Sequence, residues 1–214
     1  MKKEEVKAII FDVGGVLELS PQRKTRMQVH ASGVHEEIAK KLRIDLDQYF
    51  DSIDAAYVKS IEGLLSRKKV IEILSKNLQT TPRRIEALYH KSYKKRFKYN
   101  KQLFKQAFKL KKKGYKIAIL SDQWYLSEDV LIPKKIRKKF DVVVVSCDSK
   151  VKMRKPNSKI YRLVLQRLKL KPPQIVFIDN QKWNLGPAKK LGMKTILFRN
   201  NKQTFTQLKK LGVE

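Results

Sequence analysis

The sequence has little cysteine, no long apolar run and few acidic residues. Cys147 is the only cysteine among 214 residues, which excludes an internal disulfide and favours a reducing compartment, so the cytoplasm is the expected location. No apolar run approaches the roughly 20 residues of a membrane-spanning helix, and the charged start MKKEEVKAIIF lacks the apolar segment of a secretion signal. Because 42% of the residues are hydrophobic, the sequence predicts a folded globular protein without a membrane partner.

Several familiar catalytic motifs are also missing. The sequence contains no G-x-S-x-G elbow, no phosphate-binding loop ending in Gly-Lys-Ser/Thr and no G-x-G-x-x-G fingerprint. His30, His35 and His90 lack the spacing of a zinc site, and we interpret them as surface or packing residues. Cys147 has no histidine predicted beside it, so a buried thiol is favoured over a nucleophile.

The charge balance is strongly one-sided, with 50 Lys and Arg against 20 Asp and Glu and a formal net charge of +30. Such a surface can bind phosphate backbones, but the lysines lie along most predicted helices instead of in one tract. A general surface charge is therefore the preferred interpretation, and a nucleic-acid partner remains an alternative that is not favoured. Either way, the positive field attracts anionic substrates.

Five short apolar segments rich in Ile and Val predict buried parallel strands. They are KAIIFDV, YKIAILSD, FDVVVVSC, QIVFIDN and KTILFRN. Helical patterns separate the later ones, over 101–113, 157–168 and 184–191, and two of these helices end before Gly114 and Gly192. The alternation predicts an α/β fold with a Rossmann-like, three-layer core.

Residues 18–100 interrupt this alternation with helical patterns and no convincing strand. Ser66 is a predicted N-cap, and Thr81 followed by Pro82 predicts another helix start. We therefore expect a core formed by residues 1–17 and 101–214, with a small helical cap, residues 18–100, inserted after the first strand.

Polar residues stand at the carboxyl ends of the predicted strands. They are Asp12, then Ser121 with Asp122, Ser146 with Asp148, and Asp179 with Asn180. Ligands of open parallel sheets bind at this edge. Gly14 and Gly15 let the chain turn tightly after Asp12 and present backbone amides and carbonyls to a ligand. Carboxylates can hold Mg²⁺, a serine and a lysine can bind phosphate, and Asp12 is a candidate nucleophile.

Four motifs in this order resemble the haloacid dehalogenase superfamily of aspartate-nucleophile hydrolases. They are FDVGGVL, AILSDQW, VKMRKPNSKIY and VFIDNQKWNLGPAKKLGM. The resemblance implies that Asp12 is the nucleophile and a metal ligand and that Ser121 binds phosphate. It further implies that Lys155 stabilises negative charge on the nucleophile and on the phosphoryl group. It also implies a Mg²⁺ cofactor held by Asp12, the Gly14 carbonyl, Asp179 and Asn180, with Gly15 beside the phosphate.

Within the superfamily, FDVGGVL and the helical insertion resemble small sugar-phosphate phosphatases and the phosphatase-like domain fused to epoxide hydrolases. The segment SIEGLLSRKKVIEIL resembles the part of the cap that shields the site in that group. The implied activity is hydrolysis of a small phosphate monoester through an aspartyl-phosphate. Dehalogenation ranks last, because that branch carries an aromatic residue where Gly14 stands.

Two positions depart from the phosphatase pattern. Gly14 stands where a second aspartate commonly acts as general acid and base, and Asn180 stands where a carboxylate commonly binds the metal. Asp122 could return a carboxylate nearby. The alternative to an enzyme is a degenerate member that binds phosphate or regulates, with or without nucleic acid on its basic surface. Arg154 and Lys152 are further candidates for phosphate binding, and Trp124 and Trp183 for walls of a substrate site or for packing.

Overall fold

The computed structural model describes residues 4–19 and 33–214. Its main element is a five-stranded parallel sheet formed by β1 Ala8–Phe11, β4 Lys116–Ser121, β5 Val142–Val145, β6 Ile175–Asp179 and β7 Lys194–Leu197. The strand order across the sheet is β5-β4-β1-β6-β7. All five predicted strands and the Rossmann-like α/β class are confirmed. The central strands are buried on both faces, which is why each one is an almost continuous apolar run.

Ten α-helices are found in the described residues. They are α1 Val34–Leu42, α2 Leu46–Ile61, α3 Arg67–Asn77, α4 Pro82–Arg96, α5 Lys101–Lys112, α6 Tyr125–Leu131, α7 Lys134–Arg137, α8 Ser158–Leu168, α9 Lys182–Lys190 and α10 Asn201–Lys210. The predicted caps are present, since the side chains of Ser66 and Thr81 accept from backbone amides at the starts of α3 and α4. The helix predicted over 184–191 begins two residues earlier, at Lys182.

Alternating side chains of each strand point into two layers of helices. One face, with Ile9 and Phe11, joins a cluster that includes residues of α5 and α10. The other face, with Ile10 and Phe177, packs with residues of α8 and α9. This arrangement gives the three layers of the predicted core and leaves the carboxyl edge of the sheet open to loops.

The interval predicted as a cap contains α1 to α4, as expected, but it also carries strand residues at both ends. Two-residue strands β2 Glu18–Leu19 and β3 Lys98–Tyr99 pair antiparallel. The expectation of no strand between 18 and 100 is therefore wrong, because a two-residue strand is too short to produce a hydrophobic pattern. The apolar cluster continues from the sheet into α1 to α4. The division at residues 17 and 100 stays a prediction.

None of the helices in the described ranges is long and apolar enough to cross a lipid bilayer.

Candidate active site

Lys155 lies between two carboxylates at the carboxyl edge of the sheet. Its Nζ is 3.0 Å from Oδ1 of Asp12 and 2.7 Å from Oδ2 of Asp179. Asp12 follows β1 and Asp179 ends β6, and these strands are neighbours, so the sheet itself brings the two carboxylates together. Lys155 comes from the loop before α8. The fold thus assembles three of the predicted site residues from distant parts of the sequence.

Burial controls the electrostatics of this cluster. Asp12 is 7% exposed, Lys155 4% and Asp179 0%. Burial raises the pKa of Asp12 to about 7, opposed by the positive charge of Lys155 and reinforced by Asp179. Burial alone would lower the pKa of Lys155, but Asp12, Asp179 and Asp122 together hold it above its ordinary value. Lys155 is therefore the cation that balances the buried carboxylates.

Asp179 is held in a fixed orientation by hydrogen bonds to both oxygens. Oδ1 accepts from the backbone amide of Gln181 at 2.7 Å, and Oδ2 accepts from Nδ2 of Asn184 at 3.1 Å. Asn184 is anchored in turn, because its carbonyl accepts from the hydroxyl of Tyr161 at 2.7 Å. Asn184 received no role from the sequence, although it belongs to the quoted motif VFIDNQKWNLGPAKKLGM.

Gly15 and Asn180, which follow Asp12 and Asp179 in the sequence, approach each other closely. Gly15 has φ +78°, and a Cβ there would lie 2.2 Å from Nδ2 of Asn180, so only glycine allows this approach. The Gly15 amide donates to the Glu18 carbonyl at 2.7 Å, so this N–H group is already used in a hydrogen bond within the turn. A Cβ at Gly14 would have nothing within 4 Å, so that position faces open space.

Ser121 ends β4 with its side chain fully buried in a polar network. Its Oγ accepts from Nε2 of Gln123 at 3.0 Å, and Oε1 of Gln123 accepts from the Ser127 hydroxyl at 2.6 Å. The backbone amide of Gln123 also donates to Oγ of Ser146 at 3.1 Å. Gln123 was missed as a site residue because nothing in the sequence shows which way its side chain folds back.

The remaining charged candidates occupy different positions around this cluster. Oδ1 of Asp122 accepts from the Lys155 backbone amide at 3.1 Å, so Asp122 helps to position the loop that carries Lys155. Burial raises the pKa of Asp122, and Lys155 opposes that effect. Arg154 is exposed and lies 3.5 Å from the carboxylate of Glu62, while Lys152 is exposed.

The aromatic and thiol candidates are mostly packing residues. Trp124 is 1% exposed, donates from Nε1 to the Tyr93 hydroxyl at 2.9 Å and lies edge-on to Tyr57 at 4.8 Å. Trp183 is 58% exposed. Cys147 is buried as predicted, and its Sγ donates to Oε2 of Glu128 at 3.2 Å, so it is no free nucleophile.

The three histidines are accounted for differently. His35 of α1 is buried, and its Nδ1 lies 2.9 Å from the hydroxyl of Tyr49 in α2, so it is a packing residue. His90 is exposed on α4. His30 lies outside the described residues.

Glu18 is an acidic residue that no sequence motif singles out. It is 3% exposed, and burial raises its pKa to about 8. Its backbone closes the turn after Asp12, with its amide donating to the Val13 carbonyl at 2.9 Å. A protonated carboxyl therefore lies close in sequence to the candidate nucleophile.

The residues around Asp12 offer oxygen ligands suited to Mg²⁺. No group of three or more His, Cys, Asp and Glu residues in the described ranges is arranged to hold a metal, so a site here needs neutral oxygens. Oδ1 of Asn180 is buried without a hydrogen-bond partner, which is costly unless a ligand satisfies it. With the carboxylates of Asp12 and Asp179, this oxygen fits a hard cation that also keeps bound water.

The family profile described as haloacid dehalogenase-like hydrolase matches residues 27–198, most of the chain. The chain belongs to this family. The resemblance seen in the sequence motifs is thereby confirmed, although Asp12 lies before the matched range.

Two curated relatives connect the family to larger proteins. Bifunctional epoxide hydrolase 2 of Rattus norvegicus is 35% identical over 117 residues, which cover 52% of this chain and 21% of that protein. Acyl-CoA dehydrogenase family member 10 of Mus musculus is 30% identical over 201 residues, which cover 89% of this chain and 18% of that protein. The chain spans about a fifth of the length of these relatives.

Solved structures share the fold at low sequence identity. A haloacid dehalogenase family enzyme of Bacteroides thetaiotaomicron, crystallised with magnesium and inorganic phosphate, has a TM-score of 0.73 and 17% identity, covering 94% of this chain and 98% of that one. A predicted hydrolase of the same family from Porphyromonas gingivalis has a TM-score of 0.73 and 20% identity, covering 99% and 100%. These similarities confirm the fold.

Proposed function

We propose that the protein is a Mg²⁺-dependent phosphatase that hydrolyses a small phosphate monoester, such as a sugar phosphate, through an aspartyl-phosphate on Asp12. The observation that carries the proposal is the buried contact of Lys155 with both Asp12 and Asp179. The magnesium and phosphate bound to the Bacteroides enzyme support the same chemistry here.

Asp12, Lys155 and Ser121 have separate roles in this mechanism. A carboxylate oxygen of Asp12 attacks phosphorus, the bond from phosphorus to the leaving oxygen breaks, and the alcohol leaves with a proton taken from water. Water then cleaves the acyl phosphate and regenerates the Asp12 carboxylate. Lys155 and Ser121 hold phosphoryl oxygens, and Lys155 offsets the charge that builds up between Asp12 and the phosphoryl group.

Asp12, Asp179, the Gly14 carbonyl and Asn180 would hold Mg²⁺. The metal would neutralise phosphoryl charge and would lower the pKa of Asp12, which burial alone raises to about 7. Asp122 is not counted among these ligands, because no three acidic side chains in the described ranges are arranged to hold a metal and its Oδ1 accepts from the Lys155 amide. An Asp122→Asn variant should therefore keep the Mg²⁺ affinity of wild type.

The test is release of phosphate from an aryl phosphate and from a panel of sugar phosphates, with Mg²⁺ and with a chelator. We expect turnover that depends on the metal. In Lys155→Met it should fall about 100-fold or more, because a positioned cation at the reacting phosphoryl group stabilises the transition state by several kcal/mol. Turnover that persists in the chelator would contradict the metal's role.

A phosphate-binding protein without turnover is the second candidate. Gly14 supports it, because that position carries no side chain that could act as acid or base. If this candidate is correct, the wild-type protein binds inorganic phosphate but releases no phosphate from any ester.

A further inference from the structure

The basic residues are unevenly distributed, and one surface collects many of them with few acidic neighbours. Residues 101–113 and 134–139 contain eleven Lys and Arg and no Asp or Glu. Two of these cations are paired with carboxylates of other segments, Lys111 with Asp141 at 2.8 Å and Arg137 with Glu128. By contrast, helix α2 alone carries three aspartates.

Nine exposed lysines remain on this surface, and none forms an ion pair with a described residue. We call them the α5–α7 lysine face: Lys101, Lys105, Lys109, Lys112, Lys113, Lys134, Lys135, Lys138 and Lys139. Four of them repeat every three or four residues along α5, which places them on one side of the helix. This row is about 16 Å long at 1.5 Å per residue.

Direct contacts join the two segments into one surface. The rings of Phe108 and Phe140 lie 6.0 Å apart, and Nζ of Lys111 donates to the Lys139 carbonyl at 2.9 Å. Nζ of Lys139 lies 5.1 Å from the centre of the Phe108 ring. The C-terminal half of α5 and the segment after α7 are therefore neighbours in space.

Lys101 lies near the loop after Asp12, because the preceding Asn100 donates to the Val16 carbonyl, but the far end of the lysine face lies away from the candidate active site. Asp141, which anchors it through Lys111, accepts from the Ile117 amide near the amino end of β4. Ser121 ends the same strand at the opposite edge of the sheet. A macromolecule bound at this far end of the lysine face would leave the edge that carries Asp12 accessible.

We propose that the α5–α7 lysine face binds the phosphate backbone of a double-stranded nucleic acid. Closely spaced cations without counter-charges gain affinity by releasing the ions condensed on a duplex. All nine residues are lysines, which act as point charges and lack the bidentate geometry by which arginine reads guanine, so binding is independent of sequence.

The chemistry of the face favours a duplex over other polyanions. Single-strand binders stack bases on exposed aromatic rings, but Phe104 and Phe140 are buried against each other here. Of the large apolar residues exposed in the described ranges, only Tyr99 stands beside the face, at its Lys101 end, and a single ring is too little to stack a run of bases or to anchor a lipid surface. These exposed apolar residues are Leu19, Val58, Leu64, Tyr99 and Trp183.

The test measures binding of the full chain to short labelled duplexes of DNA and RNA, to single-stranded DNA and to anionic lipid vesicles, between 50 and 200 mM salt. Wild type should bind at least one duplex, and about five phosphate contacts give a slope near −4.5 for log affinity against log salt. Comparing the DNA and RNA duplexes shows which of the two the protein binds more tightly. No duplex binding at 50 mM salt, or binding to vesicles or single strands alone, would overturn the proposal.

A charge-matched pair of variants tests whether duplex binding comes from this face or from the net charge of the protein. The first replaces Lys105, Lys109, Lys112 and Lys138 with glutamine, and the control replaces Lys159, Lys171, Lys189 and Lys190, which are exposed on or beside the opposite helix layer. The face variant should weaken duplex binding at least tenfold at 100 mM salt and flatten the slope by about 0.9 per lost contact, while the control changes it much less. Equal losses in both variants would assign binding to overall charge and overturn the proposal. Phosphate release by the face variant should equal that of wild type, which makes this result independent of the proposed phosphatase activity.

Discussion

Nε2 of Gln123 donates to Oγ of Ser121 at 3.0 Å, while Oε1 of Gln123 is occupied by the Ser127 hydroxyl at 2.6 Å. In this arrangement the NH₂ group of the amide faces Ser121. Because Oγ of Ser121 already accepts a hydrogen bond, its own proton is available to a phosphoryl oxygen. In the proposed mechanism, Gln123 thus positions the Ser121 hydroxyl for the phosphoryl group.

Gln123→Glu should weaken phosphate binding about tenfold, because the new carboxylate accepts the Ser121 proton and repels the phosphoryl group. Gln123→Met, which keeps the size but removes the donor, should have a smaller effect. The measurement is inhibition by inorganic phosphate together with KM, with Ser121→Ala as reference. Wild-type phosphate inhibition in Gln123→Glu would show that Gln123 only fills space.

Gly14→Asp should increase turnover. The position has room for a side chain and lacks a positive φ, so an aspartate fits where a general acid is missing. General acid catalysis contributes about 10²- to 10⁴-fold, and a newly placed group should recover at least part of this. The readout is kcat on sugar phosphates with poor leaving groups, with Gly14→Asn as the matched control. An unchanged or lower kcat for Gly14→Asp would mean that protonation of the leaving group is not limiting.

Gly15→Ala should raise the Mg²⁺ concentration needed for activity. A Cβ at this position strains a backbone with φ +78° and displaces the side chain of Asn180. Gly114→Ala is the matched control, because Gly114 has φ +92° but open space around it. Both variants should lose about 1 to 2 kcal/mol of unfolding free energy, but only Gly15→Ala should need more Mg²⁺ for half-maximal activity. An equal Mg²⁺ requirement in both would contradict a metal role for Asn180.

Much of the fold and part of the site could be predicted from the sequence. Strands buried on both faces appear as apolar runs, so β1 and β6 were recognisable, and the carboxyl-edge rule placed Asp12 and Asp179 together. The paired strands β2 and β3 were missed because two residues carry no periodic signal.

The contacts inside the site could not be predicted in the same way. The approach of Gly15 to Asn180 joins residues far apart in the sequence, and it depends on how two loops pack. The orientation of Gln123 depends on Ser127, whose role appears only once α6 is in place. Such contacts are set by tertiary packing, which local residue patterns do not encode.

Glu18→Gln should stabilise the protein in a pH-dependent way. The pKa of Glu18 is raised from an ordinary 4.5 to about 8 in the folded state, so the folded state binds the proton more tightly than the unfolded one. The wild type therefore loses stability as the pH rises from about 4.5 through 8, whereas the glutamine variant does not. Between pH 4 and pH 8.5, the unfolding free energy of the variant should rise relative to that of wild type by on the order of 1 to 3 kcal/mol.

Urea denaturation across this pH range measures the effect. Glu5→Gln, at an exposed position, serves as the control and should show a difference from wild type that stays constant with pH. A constant difference for Glu18→Gln as well would show that the Glu18 carboxyl is ionised in the folded protein.

The most direct test of the central claim compares phosphate release by wild type and Asp12→Asn, with and without Mg²⁺, on the aryl phosphate and the sugar-phosphate panel. Asparagine keeps the size of the side chain but cannot form the acyl phosphate. We predict metal-dependent turnover in wild type and a loss of at least about 10³-fold in the variant. Full activity in Asp12→Asn would contradict the proposed nucleophile, and no activity in either protein would contradict a phosphatase.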